Sequence, residues 1–298
     1  MDMRQLQTLV AVADTGSFAG AARVVHLTAS AVSQQIQALE GELGTALFDR
    51  RKRPAQLNAK GEEILRAARS VTQVIAEARL AVSGGRTSGM LKIGAIRTVS
   101  RQLVPLALLR MHALYPDLTF NLTVGLSEKL MLDVSAGRLD AAVVAEQVGV
   151  PPGLSWTPVL TEPLVLAAPP GSAGRSAASL LREMPFIRYE TSVPLARQIE
   201  TELSRLGIAP REIMVCTTMP AIVGCVQAGL GVAVVPEIAL ADAAEGSVHA
   251  CPIGDDGVAR RLGIVRRQVS SRSDVLSEMR RALSRCAAGL GLQVPDAQ

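Results

Sequence analysis

Thr28-Ala29-Ser30-Ala31-Val32-Ser33-Gln34-Gln35-Ile36-Gln37-Ala38-Leu39-Glu40-Gly41-Glu42-Leu43-Gly44 is the segment on which the fold turns. Thr28 is a good helix N-cap, because its hydroxyl can accept from a free amide one turn in. Val32, Ile36, Leu39 and Leu43 recur at helical intervals and predict a buried stripe, and Gly44 supplies the stop. The opposite face carries Ser30, Ser33, Gln34 and Gln37, short hydroxyls and amides where a solvated helix usually shows Lys and Glu. Side chains of that kind read base edges in the major groove of duplex DNA.

Upstream, Leu6, Leu9, Val10 and Ala13 predict a first helix that stops at Thr15-Gly16. Ser17 then caps a second, with Phe18, Ala21, Ala22 and Val25 on its apolar face, and a tight turn follows at His26-Leu27. Downstream, residues 47–57 hold a basic run in a Pro-interrupted β-ribbon, and phosphates are the natural partners of its Arg50, Arg51 and Arg53. A polar helix face or a basic loop, taken alone, is usually just solvated. A three-helix unit, a hydroxyl and amide face and a basic wing within about sixty residues make DNA binding the better reading.

Asn58 is placed to cap a fourth, long helix reaching about Val82. In it Ile64, Ala68, Val71, Ile75, Ala78 and Val82 alternate in steps of four and three, the average 3.5-residue repeat of a helix that pairs with another helix. Dimerisation is the direct inference; an amphipathic helix packed on its own domain is the alternative. Such a helix would span roughly 37 Å. Residues 83–89, rich in Gly and Ser, read as a hinge. From Met90 onward strands and helices alternate, in a first series up to Ala145 and a second that includes Leu164–Ala168, Pro185–Tyr189, Glu212–Thr217 and Gly231–Val235. Two α/β subdomains are expected, with Leu262–Val265 and a helix over 274–288 returning to the first.

The chain has 298 residues, which favours two domains. Aromatic residues make up only 2%, too few for a protein that grips single strands by stacking bases. The net charge of +4 mildly favours a polyanionic partner. Cys216, Cys225, Cys251 and Cys286 form no CxxC pair, and His26, His112 and His249 are scattered, so neither a zinc site nor a disulfide scaffold is expected and a reducing cytosol fits. There is no leader-like start and no apolar run long enough for a spanning helix, so a cytoplasmic protein without membrane contact is expected.

These residues resemble those of LysR-type transcriptional regulators over essentially the whole chain. The resemblance rests on Leu6 through Ala13, Gly16-Ser17-Phe18 with Ala21-Ala22, Thr28 through Gly44, and Leu47-Phe48-Asp49-Arg50. Gly137-Arg138-Leu139-Asp140-Ala141-Ala142 and residues 228–236 look like weaker signatures of the same family. The resemblance implies an N-terminal all-α winged helix-turn-helix (1–58), a linker helix and hinge (59–89) and a C-terminal α/β effector domain (90–298). The last would have two Rossmann-like subdomains, similar to type 2 periplasmic binding proteins: one of about 90–161 with 267–298, the other about 162–266. It also implies double-stranded promoter DNA, a small-molecule effector, the chain itself as homodimer or homotetramer, and RNA polymerase as partners. No resident cofactor, metal or catalysis is expected. The sequence departs from the family at Ala29, often Gln, and at Asn58, usually Thr, which preserves capping. Gly41 inside the third helix costs about 1 kcal/mol relative to Ala, without visible compensation.

In an open α/β sheet, small molecules bind beyond the carboxyl ends of strands, where helix N-termini offer free amides. Arg97, Thr98, Ser100 and Arg101 follow the first strand and Ser127 follows the second. Tyr189, Glu190 and Thr191, with Thr217, Thr218 and Met219, should face them from the second subdomain, at positions that resemble effector-contacting loops of the family. A helix cap is the ordinary use of any single Ser or Thr here. Hydroxyls and amides suit an anion; Glu190 has three open uses, facing solvent, pairing with Arg97 or Arg101, or binding an amino group. Two other readings stand beside this one. Cys216 and Cys225 invite a redox sensor, although in the peroxide-sensing branch of the family the pair precedes the strand that here holds Cys216. An enzyme or solute-binding protein would explain only the C-terminal part, and no GxSxG elbow, P-loop or GxGxxG turn after a strand is present.

Overall fold

The computed structural model describes residues 1–295 except 50, 53, 83–86, 147, 148, 190–192, 242, 255 and 256, with the helix side chains at 73, 76, 77 and 79–82 left aside. Its first unit is α1 (Met3–Thr15), α2 (Phe18–Val24), α3 (Ala29–Leu43), a ribbon of β1 (Phe48–Asp49) and β2 (Gln56–Leu57), and the long α4 (Ala59–Val82). Each early helix starts on a side-chain cap. Asp2 and Gln5 form a reciprocal capping box, Ser17 accepts from the Gly20 amide, and Thr28 accepts from the Ala31 amide. Gly16 and Gly44 close α1 and α3 in the left-handed conformation, at φ 68° and 62°. Leu6, Leu9, Ala21, Val32, Ile36 and Leu39 bury the shared core, and Leu43 is only half-buried.

The ribbon and α4 complete this core. Leu47, Phe48, Leu65 and Ala68 are buried in it, and the Phe18 and Phe48 rings meet at 5.4 Å. Ala68 therefore packs within its own chain, in a helix that contacts α1, and Arg69 pairs with Asp14 of α1. The stripe open for self-pairing is thus shorter than the repeat implies: of its members Val71 and Ala78 are exposed and Ile75 is half-buried, with Val74, outside the repeat, exposed beside them, and the Val82 side chain lies outside the description, as does most of the expected hinge.

The second unit runs β3 (Gly89–Ile96), α5 (Leu103–Leu114), β4 (Leu118–Gly125), α6 (Ser127–Ser135), β5 (Ala141–Ala145), β6 (Leu154–Ala168), α7 (Ala177–Glu183), β7 (Phe186–Tyr189), α8 (Pro194–Arg205), β8 (Glu212–Cys216), α9 (Met219–Gln227), β9 (Ala233–Pro236), a 3-10 helix (Glu237–Leu240), β10 (His249–Pro252), β11 (Val258–Arg267) and α10 (Ser273–Gly289). The main sheet has the order β10-β6-β11-β5-β3-β4, with β9 also on β6. Strands β4, β3 and β5 are parallel, as are β7 and β8, so their carboxyl ends point the same way within each lobe.

Two cores result. One gathers Leu91, Ile93, Val104, Val143, Leu160 and the inner face of α10; the other gathers Leu166, Leu180, Phe186, Ile199, Ile222 and Val234. β6 leaves the first core at Leu160 and enters the second at Leu164, and β11 returns between Val258 and Leu262. Leu262, Ile264 and Val265 therefore belong to the first core, not to a second subdomain extending to 266. The crossing falls inside a continuous strand because β11 pairs with β5 over 262–266 while still paired with β6.

Candidate nucleic-acid interface and ligand cleft

On α3, Thr28, Ala29, Ser30, Gln34 and Gln37 are exposed and Ser33 is half-buried, so the hydroxyl and amide face points away from the core. Thr28 and Ser30 share a hydrogen bond of 2.9 Å at the helix start. Gln35 is different: Thr8, itself buried in α1, donates to its Oε1, which fixes the rotation of α3 about its axis. Beyond the helix, the Glu40 carboxylate accepts from the Leu47 amide at 2.8 Å and the Phe48 amide at 3.3 Å, hanging the ribbon on the end of α3.

At the ribbon tip Arg51 is exposed and bonded to Asp49, Nε to Oδ1 at 3.0 Å. The Arg51 side chain, then its amide, hold the Asp49 carboxyl below the usual range, and Asp49 in turn raises the guanidinium further. An exposed pair of this kind is worth little and exchanges readily for a phosphate. Lys52 donates to Gln56 across the ribbon at 3.0 Å. Arg50 and Arg53 lie outside the described residues.

The lobes face each other across a cleft with two compartments. Ile96, Arg97, Thr98, Ser127, Tyr189 and Arg260 are among the residues lining the first. Arg97, Thr98, Ser100, Arg101, Tyr189, Thr218 and Met219 line the second, so Arg97, Thr98 and Tyr189 form the partition. Apart from Arg260, which lies within β11, these positions stand at or just beyond the carboxyl ends of β3, β4, β7 and β8, where parallel strands deliver their loops. Arg97 crosses the cleft, its Nη1 donating to the Thr217 carbonyl at 3.3 Å, so Thr217 takes part through its backbone. The Thr218 hydroxyl caps no amide although it sits at the start of α9. Ser100 donates to the Arg97 carbonyl at 2.9 Å, and the Ser127 hydroxyl accepts from the Ala145 amide at 3.4 Å. Glu190 and Thr191 lie outside the described residues.

Two site residues escape a reading of the sequence. Arg260 of β11 bonds through Nε to Oε2 of Glu162 on β6 at 2.5 Å, and through Nη2 to the Thr98 hydroxyl at 2.9 Å. Glu162 is wholly buried and Arg260 nearly so, with side chains 0% and 9% exposed. Burial pushes the Glu162 carboxyl up and Arg260 draws it back, while Glu237 adds a further push upward. The available signal was a single carboxylate in the apolar run 159–168.

The cysteines belong to the packed cores: Cys216, with Cys225 and Cys251 against it, to the second, and Cys286 to the first. Cys216 is buried at the end of β8, and desolvation, then the neighbouring Cys225, push its thiol up and disfavour the thiolate. Among the described residues no cluster of His, Cys, Asp and Glu could hold a metal, and no helix is long and apolar enough to cross a membrane.

A helix-turn-helix with a basic ribbon, joined by a long helix to a two-lobed α/β unit with a cleft, defines the class of ligand-responsive DNA-binding regulators. The chain belongs to the LysR family: residues 3–62 match the bacterial regulatory helix-turn-helix protein, lysR family, and residues 84–287 match the LysR substrate binding domain. It is accordingly a LysR-type DNA-binding transcriptional regulator with an effector-binding domain. A probable hydrogen peroxide-inducible genes activator of Mycobacterium avium is 31% identical over 92% of this chain and 90% of its own length. In fold, a full-length OxyR variant from Pseudomonas aeruginosa superposes with a TM-score of 0.82 at 23% identity, covering 100% of this chain and 99% of that one. Full-length CbnR complexed with its target DNA gives 0.65 at 23% identity, covering 96% and 100%.

Proposed function

We propose that the protein binds an imperfect inverted repeat as paired protomers and changes its grip when a small molecule fills the cleft. In this reading Ser30, Ser33, Gln34 and Gln37 read bases, Thr28 and Ala29 sit at the entering end of α3, and Arg50, Arg51 and Arg53 hold phosphates. The observation that carries it is the exposed hydroxyl and amide face of α3 beside an exposed cationic ribbon, both tied to one core through Gln35 and Glu40. CbnR, similar in fold, is solved in complex with its target DNA, which supports duplex DNA as the partner. Arg97, Thr98, Ser100, Arg101, Ser127, Tyr189, Thr218 and Met219 form the effector pocket, and the cleft senses without turning over its ligand. Closure of the lobes alters the spacing of the DNA-binding units and the bend of the promoter. The cytoplasm is where such a regulator meets its promoter.

The test is binding to the chain's own upstream region and to scrambled duplex over a range of salt. Arg51→Ala should weaken binding to both and reduce the slope of log affinity against log salt by about one. Gln34→Ala should mainly reduce the preference between them, by roughly tenfold or more. Equal losses on both duplexes for Gln34→Ala would remove α3 from base reading.

A further inference from the structure

The Glu162–Arg260 pair is an unusual thing to find at the crossing between two lobes. Each residue sits on one of the two crossover strands, so the pair spans the only two strands that pass between the cores among the described residues. It is also incomplete: Oε1 of Glu162 is buried with no hydrogen-bond partner. A buried carboxylate with half its acceptor capacity unused is costly as an anion and cheap to neutralise. Arg260, by contrast, lines the cleft and already reaches Thr98 in it. Around that guanidinium the walls are largely apolar, with Ile96, Leu126, Val193 and Leu195.

Resting on the reading of the cleft as the effector site, we propose that it takes a small monocarboxylate with an apolar body, whose carboxylate replaces Glu162 on Arg260 while Glu162 takes a proton from solvent. The exchange leaves no buried charge alone. Arg260 keeps a carboxylate partner, and Glu162, once neutral, no longer needs one. The other charged or titratable groups around the exchange are Glu237 from the 3-10 helix, which disfavours the Glu162 anion, and Arg97, Glu128 and Tyr189, which line the same compartment. Loss of a bond between the two crossover strands at the moment of binding also gives a direct route from ligand to lobe angle.

Linkage fixes the sign. A proton taken up on binding tightens binding as pH falls, by up to tenfold per unit. The experiment is calorimetric titration of the full-length protein with straight-chain monocarboxylates from butyrate to octanoate, in two buffers of different ionisation enthalpy. The matching amides are neutral controls, and the matching alkylsulfonates are anions that cannot themselves be protonated. Carboxylates should bind at least tenfold more tightly than amides, with uptake approaching one proton, and uptake should persist with sulfonates. Glu162→Gln should abolish the uptake and the pH dependence, and Arg260→Gln should remove the preference for the anion. The wild-type measurements decide even if either variant fails to fold. Carboxylate binding without proton uptake overturns the exchange, and amides binding as well as acids, or no acid binding at all, overturns the anionic class; in each case the cleft still stands as a site. If no member of a broad metabolite library shifts the Tm or the DNA affinity, the cleft itself is not a sensor.

Discussion

Gly61 occupies the first turn of α4, where a Cβ would lie 2.2 Å from the Leu47 carbonyl oxygen and 2.7 Å from Leu57 Cδ2. The helix can start against the ribbon only because nothing projects there. Gly41, in α3, is the opposite case: it is helical, exposed, and a Cβ would meet nothing within 4 Å. Gly61→Ala should therefore destabilise the N-terminal unit by about 1–3 kcal/mol through a forced shift of the ribbon, and Gly41→Ala should stabilise it by about 1 kcal/mol. Hydrogen exchange of the α1–α3 amides in the intact protein measures both; protection rising for Gly61→Ala would contradict the packing argument. The cost of Gly41 was visible in sequence because helix propensity is local. The need for Gly61, like the pairing of Glu162 with Arg260, was not, since each arises from a segment distant in the chain or in the fold.

At the scale of elements, the wing holds its own brake. Asp49 accepts from both the amide and the side chain of Arg51, so the cation that the proposed function sets on a phosphate is already paired. Asp49→Asn keeps an acceptor for the amide and removes the charge. The variant should bind all duplexes about two- to tenfold more tightly at low salt, the gain shrinking as salt rises. A gain confined to one sequence would mean that Asp49 contributes to base recognition instead. Elements with a clean period were legible: the stripe of α3 and the alternation that predicts β3 through β5 need only local pattern. The first half of β6 was not, because Pro158 and Pro163 argue against a strand. Pro158 is tolerated because the pairing with β11 slips at Leu262/Gly263, and Pro158, with no amide to donate, sits opposite that irregularity. The cleft-lining residues on loops were legible in kind, since strand order dictates which loops converge, while Arg260 enters from within a strand.

For the whole molecule the informative surface is apolar. On the first lobe α5 exposes Leu106, Leu109 and Leu114 beside Leu122 and Val124 of β4; on the second, β8 exposes Ile213, Met214 and Val215. Two different apolar faces on one chain close in a two-fold dimer if the first lobe of each protomer meets the second lobe of the other, which satisfies both at once. The outer half of α4, with Val71 42% and Val74 58% exposed, offers a separate, self-complementary contact. If both contacts form and close, they build a tetramer, and losing either leaves a dimer. Leu109→Glu, at the most exposed apolar position of α5, should give dimers joined through α4 that still hold both DNA-binding units. Val74→Glu should give dimers joined through the lobes, and its affinity for an inverted repeat should fall towards that for a single half-site, because the two recognition helices are no longer held at a fixed spacing. Light scattering separates the species, and half-site competition reads the coupling. If both variants keep the wild-type mass, these faces are not the contacts. If the mass falls while Val74→Glu keeps full preference for the repeat, the linker joins protomers without setting the spacing of their DNA-binding units.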